Sequence, residues 1–91
     1  MKAHVILYTR PGCHLCEEAR REMLAAGCDD DYTLEEVNID ADPALKERYG
    51  WEIPVVLING VKAFKYHVTA REFKAKLRRH AKIAERKRFN H

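Results

Sequence analysis

Val5-Ile6-Leu7-Tyr8-Thr9-Arg10-Pro11-Gly12-Cys13-His14-Leu15-Cys16 joins an apolar run, a Pro-Gly turn and a C-x-x-C that opens a helix-patterned segment. Two thiols separated by two residues at the first turn of a helix reach each other and close a disulfide. The outer thiol, Cys13, faces unpaired backbone N–H groups and the positive end of the helix dipole, which favour thiolate over thiol. A thiolate is the form that attacks disulfides. Strand, C-x-x-C and helix in that order therefore mark a redox centre far more specifically than C-x-x-C alone.

Before the turn, Ala3 to Tyr8 is nearly all apolar, as expected of a central strand buried on both faces. After the turn, Leu15, Ala19, Met23 and Ala26 recur at helical spacing, Glu17 and Arg21 form an i,i+4 pair, and Gly27 stops a helix over roughly residues 14–26. Leu34, Val37 and Ile39 lie in a strand that ends at Asp40. Asp42 then caps a short helix with Pro43 at its first position, running to Tyr49 before Gly50. Val55-Val56-Leu57-Ile58 is too short for a core helix and reads as a buried strand. Asn59-Gly60 favours a type I′ hairpin that returns Val61 to Tyr66 antiparallel to it. Thr69-Ala70-Arg71-Glu72 is a capping box, with Val68 and Phe73 as its hydrophobic staple, and a last helix begins there. The order β-α-β-α-β-β-α describes an α/β protein with a mixed sheet and helices on its faces.

Composition bounds the function. The chain has 91 residues, 46% of them hydrophobic and 34% charged, enough for one small domain with a modest core. Three cysteines do not make a framework of paired disulfides, so a working dithiol in a reducing compartment fits better than a stapled secreted protein. Met1-Lys2 leads into a short apolar stretch broken at Arg10-Pro11, which is not a signal-peptide core, and no segment is long enough to span a bilayer. The expected location is the cytoplasm. Charge is uneven: residues 71–91 carry nine Lys or Arg against two acidic residues, whereas residues 1–70 carry eight against twelve. Two units follow, a domain over residues 1–78 and a basic C-terminal helix extension or tail over residues 79–91. Phe73, Leu77, Ala81 and Ala84 form an apolar stripe on the last helix, and Arg86-Lys87-Arg88 continue beyond it. Such a tail attracts nucleic acid or anionic lipid through charge alone, but without aromatic interleaving it reads as a solvated face that aids solubility.

Tyr8-Thr9-Arg10-Pro11-Gly12-Cys13-His14-Leu15-Cys16, Ile53-Pro54-Val55 and the Asn59-Gly60 hairpin together resemble the glutaredoxin family of the thioredoxin fold. The likeness is greatest to small glutaredoxin-like proteins with a Pro-Gly-Cys-x-x-Cys centre and spans residue 3 to about residue 78. It implies a thioredoxin-like fold with a four-stranded mixed sheet in order 2-1-3-4 and three flanking helices. It also implies Cys13 as nucleophile, Cys16 as resolving thiol and Pro54 as a cis proline facing the dithiol. On the residues alone, a trans proline heading the strand is the commoner solution. A cis Ile53-Pro54 bond instead turns the Ile53 backbone outward to pair with an extended substrate. The resemblance further implies that Arg10 meets the carboxylate of glutathione. The chain departs from glutathione-using members where they carry two glycines and an acidic residue after the hairpin. Phe64-Lys65 and Tyr66-His67 stand there instead, and Leu15 replaces a frequent tyrosine.

The expected activity is thiol–disulfide exchange through Cys13 and Cys16 on a disulfide-containing protein or small thiol substrate. The protein would act as a monomer, with no bound cofactor, glutathione only a weak co-substrate, and re-reduction by a separate reductase system. Protonated His14 tunes Cys13 by stabilising its thiolate, or else is an exposed spacer. Other classes are a metal or iron–sulfur module and a basic interaction protein whose dithiol senses redox state. Zinc needs two ligands beyond the dithiol, and only Cys28 with one of His4, His14 or His67 offers itself. Cys28 otherwise reads as a small apolar residue following the first helix rather than a regulatory thiol.

Overall fold

Strand β1 (Ala3–Thr9) is the axis of the molecule in the computed structural model, which describes residues 2–89 and the side chains of residues 2–80. It pairs in parallel with β2 (Tyr32–Asn38) and antiparallel with β3 (Val55–Ile58), which pairs antiparallel with β4 (Val61–Lys65). The sheet order is β2-β1-β3-β4, and the helices are α1 (His14–Ala25), α2 (Pro43–Tyr49) and α3 (Ala70–Phe89). This is the α/β arrangement expected of the thioredoxin-like fold.

The period-two alternation of the strands separates two cores. Ala3, Val5 and Leu7 of β1, with Val56 and Ile58 of β3, pack against Ala19 and Met23 of α1 and Phe73 and Leu77 of α3. The opposite face is thinner: Tyr8, Val55 and Leu57 meet Ile39, Leu45 and Tyr49 on the side of α2. Thus β1 is fully buried on one face and half-buried on the other, through Ile6 and Tyr8. Phe73 is the keystone of the larger core. Its ring meets Tyr32 edge-on at 5.2 Å between centroids and Phe64 at 6.4 Å, clamping α3 across the sheet.

Local chemistry explains the element ends. Asp42 Oδ1 accepts the Ala44 N–H at 2.9 Å, Pro43 takes the first helical position, and α2 stops at Tyr49 as expected. Asn59 and Gly60 have φ of 50° and 82°, the doubly left-handed geometry of a type I′ hairpin. The Ile53-Pro54 bond is cis, and Pro54 is buried. Thr69 Oγ1 accepts the Glu72 N–H at 3.2 Å, while Val68 and Phe73 are buried together. The Ala70 N–H is bound from outside the helix, by Glu22 Oε1 of α1 at 3.2 Å.

Three boundary or pairing details differ from expectation. Strand β2 ends at Asn38 rather than Asp40, because Asn38 Oδ1 accepts the Asp40 N–H at 2.9 Å and closes a 3-10 turn over Ile39–Ala41. That turn swings Ile39 into the smaller core. Strand β4 ends at Lys65 rather than Tyr66, whose φ of 70° leaves the extended region. Glu17 and Arg21 form no ion pair among the described residues, and Glu17 instead lies 4.0 Å from His14 Nδ1. Helix α3 runs unbroken through residue 78 to Phe89; the stripe residues Ala81 and Ala84 lie outside the described side chains. Among the described residues, no helix is long and apolar enough to cross a membrane.

Candidate redox site

Strand register gathers four segments at one end of the sheet. Thr9 pairs with Asn38, Tyr8 with Val55, and Val55 with Lys65. The turn after β1, the Ile39–Ala41 turn after β2, Ile53-Pro54 before β3 and Tyr66-His67 after β4 therefore share that end. Every residue singled out from the sequence for catalysis or substrate binding lies on one of these segments or at the start of α1.

Cys13 is the N-cap of α1, in extended backbone geometry, after a turn that requires Gly12 at φ 78°. Its Sγ accepts the N–H of Cys16 at 3.2 Å, filling the place that an oxygen takes in an ordinary cap. The two cysteines are joined as a disulfide, with their Cα atoms 5.2 Å apart. They differ in access. Cys13 is half-buried, whereas Cys16 is only 1% exposed on the inward face of the helix. An incoming sulfur therefore reaches Cys13. After reduction, the same Cys16 N–H and the helix N-terminus stabilise negative charge on Cys13 Sγ. His14, by contrast, points to solvent with 95% of its side chain exposed beside Glu17, and it has no hydrogen bond to Cys13 among the described residues.

Arg10 is not free. Its Nε and Nη2 donate to Asp40 Oδ1 at 3.2 and 2.8 Å across the gap between β1 and β2. Ile53 is also partly engaged: its N–H donates to Tyr49 O at 3.1 Å, which takes that donor out of the backbone expected to turn outward toward an extended substrate. Tyr66 braces this loop from the other side, its N–H donating to Pro54 O at 2.9 Å and Glu52 O at 3.2 Å. A bulky residue at positive φ is costly, by about 1 kcal/mol or more, and here it coincides with that double contact. Of the segment that departs from glutathione-using relatives, Phe64 is turned into the core and only Lys65, Tyr66 and His67 face outward. Lys65 Nζ lies 5.6 Å from the Tyr66 ring centroid. Any steric exclusion at this place falls to these side chains and not to Phe64. Trp51 stands two residues before Ile53 and is 91% exposed.

Cys28 and His4 lie at the opposite end of β1, since Cys28 precedes the Tyr32 that pairs with Ala3. A seven-residue strand separates the ends by about 20 Å. Neither residue can share an ion with Cys13 and Cys16, which removes most of the ligand set proposed for zinc. Cys28 is buried, and burial followed by the charge of Asp31 pushes its thiol up from the ordinary value. Neither Asp40 as the partner of Arg10 nor Tyr66 as the brace of the proline loop is signalled by the local sequence. The first pairing links residues thirty apart, and the second occurs without the glycine or asparagine that normally signals positive φ.

Residues 4–79 match the family model described as Glutaredoxin-like domain (DUF836). Among solved structures, the chain is similar to target protein XcR50 from X. campestris, at 30% identity and a TM-score of 0.70, over 80% of this chain and 93% of that one. It is similar to protein Ne2328 from Nitrosomonas europaea at 26% identity and a TM-score of 0.70, over 84% and 92% of the two chains. Thioredoxin 1 from Thermosipho africanus TCF52B aligns at 13% identity and a TM-score of 0.61, over 90% and 98%, a likeness of fold alone. No curated protein matches the chain significantly.

Proposed function

Because the chain belongs to the glutaredoxin-like domain family (DUF836), we propose that it is a thiol–disulfide oxidoreductase working through Cys13 and Cys16. The observation that carries this reading is the placement of a half-buried Cys13 at the N-cap of α1, its Sγ accepting from the N–H of a buried Cys16. In the reduced protein, the Cys13 thiolate attacks one sulfur of a substrate disulfide. A Cys13–substrate disulfide forms, and the other substrate sulfur leaves as a thiolate that takes up a proton. Cys16 then loses its proton and attacks Cys13 Sγ, releasing the second substrate thiol and closing the Cys13–Cys16 disulfide. Two electrons and two protons have passed to the substrate. An external thiol or dithiol reductant returns them.

The substrate is a polypeptide disulfide, held beside the Ile53 carbonyl and the exposed face of Trp51. The proposed exchange needs only the two thiols and no bound cofactor. Glutathione serves weakly, a reading supported by the engagement of Arg10 with Asp40 and by Lys65 and Tyr66 at the surface after β4. A dithiol reductase system in the cytoplasm suits the same role.

The test compares re-reduction of the oxidised protein by glutathione with glutathione reductase and by thioredoxin with its reductase, with a protein disulfide as terminal substrate. Faster turnover with the dithiol system is expected. No turnover with either sinks the assignment, and turnover with glutathione matching a dithiol glutaredoxin overturns the preference.

A further inference from the structure

Where it leaves the dithiol, one face of helix α1 exposes Leu15 beside a buried Ala19. Leu15, Ala19 and Glu22 follow one another at four- and three-residue spacing on that face. With Val68 and His67 of the turn before α3, they line an open groove of about 340 Å³. Leu15, Ala19 and Val68 form its apolar floor. Glu22 closes it by holding the Ala70 N–H at 3.2 Å, so the two walls are pinned together. Glu18, Arg21 and His67 rim it with mixed charge that selects neither sign.

Leu15 is the informative residue. It lies within the C-x-x-C yet is 37% exposed, while Cys16 beside it is buried. The groove begins two residues from the sulfur that meets the substrate. A chain advances about 3.3–3.6 Å per residue, so a polypeptide joined to Cys13 brings its neighbouring side chains to Leu15. The volume lies at the low end of ligand pockets, which run from about 300 to 1,000 Å³. It fits one large aliphatic or aromatic side chain and is too small for a bulky cofactor.

We infer that this groove is a side-chain subsite for the substrate polypeptide, taking an apolar residue close to the cysteine under attack. The inference rests on the proposed disulfide exchange and adds the substrate's chemistry to it. Partial burial of such a residue against Leu15 and Val68 raises kcat/KM by about 5- to 10-fold over a serine at the same place.

The experiment uses the full chain and two short peptides, each with one cysteine in mixed disulfide with mercaptoethanol and differing only in leucine or serine beside it. The wild type reduces the leucine peptide about 5- to 10-fold faster, and Leu15→Asn brings the ratio of the two rates close to one. Because the ratio is taken within one protein, a general loss of activity in the variant cancels. In parallel, the same peptides with serine in place of cysteine are titrated into isotope-labelled oxidised wild type. The leucine peptide shifts the amide resonances of Leu15, Ala19, His67 and Val68, and the serine peptide does not. Equal rates for both peptides in the wild type, an unchanged ratio in Leu15→Asn, or shifts confined to residues outside the groove overturn the inference. Failure to reduce either peptide refutes the oxidoreductase reading instead, and the titration then decides the groove independently.

Discussion

Replacing Asp40 with asparagine tests whether Arg10 is available to an anionic substrate. In the native protein, two guanidinium nitrogens converge on one carboxylate oxygen at 3.2 and 2.8 Å, with 31% of the Arg10 side chain and 41% of the Asp40 side chain exposed. Solvent screens a pair this open, so it contributes about 0.2–1 kcal/mol to stability. That same energy opposes any substrate carboxylate that must displace or share Asp40 to form a two-pronged contact with Arg10. Removing the competing charge therefore raises affinity for an anionic substrate by about 1.4- to 5-fold, the factor corresponding to 0.2–1 kcal/mol. The assay is kcat/KM for a small disulfide bearing carboxylates, divided by kcat/KM for a neutral hydroxyl-bearing one. Asp40→Asn should raise this ratio at low salt, and the gain should shrink near 1 M salt, where the screening length falls to about 3 Å. Arg10→Gln should lower it below the wild-type value. Urea denaturation should move by no more than about 1 kcal/mol. An unchanged or reduced ratio in Asp40→Asn refutes the argument, because Asp40 would then be orienting Arg10 for the substrate and not competing with it.

Cys13→Ser should abolish disulfide reduction, whereas Cys16→Ser should trap a substrate adduct on Cys13; peptide mass spectrometry locating the adduct on any other residue contradicts the assignment of nucleophile. Phe73→Ala should cost about 3–5 kcal/mol in a urea titration, since the ring is fully buried against Tyr32 and Phe64, and a loss under about 1 kcal/mol would show that α3 is not clamped as described. Stability should fall as pH rises above about 9, because burial raises the Cys28 thiol from 9.0 and the Tyr32 and Tyr8 hydroxyls from 10.0, so the folded chain keeps protons that the unfolded chain releases. Denaturation midpoints that stay level through this range, or an alkaline loss that is unchanged in Cys28→Ala at its onset, speak against it. Trp51→Ala should leave stability within about 0.5 kcal/mol while slowing reduction of a protein disulfide more than that of a small one, and equal effects on both substrates would remove Trp51 from the docking surface.

What could be read from the residues was whatever local chemistry decides. Asp42-Pro43 and Asn59-Gly60 each impose one backbone geometry, and α2 and the hairpin appear where those residues put them. The nearly continuous apolar runs of β1 and β3 likewise anticipate central strands that face a core on each side of the sheet. The dithiol was legible because its chemistry depends on a spacing of three in sequence. Contacts closed over long separations were not. Arg10 meets Asp40 only because β2 lies parallel to β1, and Asn38 ends that strand with a side-chain hydrogen bond no hydrophobic pattern announces. The Ile53 N–H is taken by Tyr49 because α2 ends against the proline loop. Tyr66 offers no cue to its positive φ, which tertiary contacts with Pro54 and Glu52 impose against its own preference. His14 shows the converse: position in the motif invites a role, yet the first turn of α1 aims its ring into water.

Trp51 has an optical consequence. It is the only tryptophan in the chain, and it is 91% exposed. An indole already surrounded by water in the native state gains little further hydration when the chain unfolds, so its emission maximum should scarcely move in denaturant. A polypeptide seated across it removes that water and shifts the emission to the blue. The molecule thus carries a fluorophore that is nearly silent to folding and responsive to occupancy, so titrations of candidate partners can be followed by intrinsic fluorescence with no label attached.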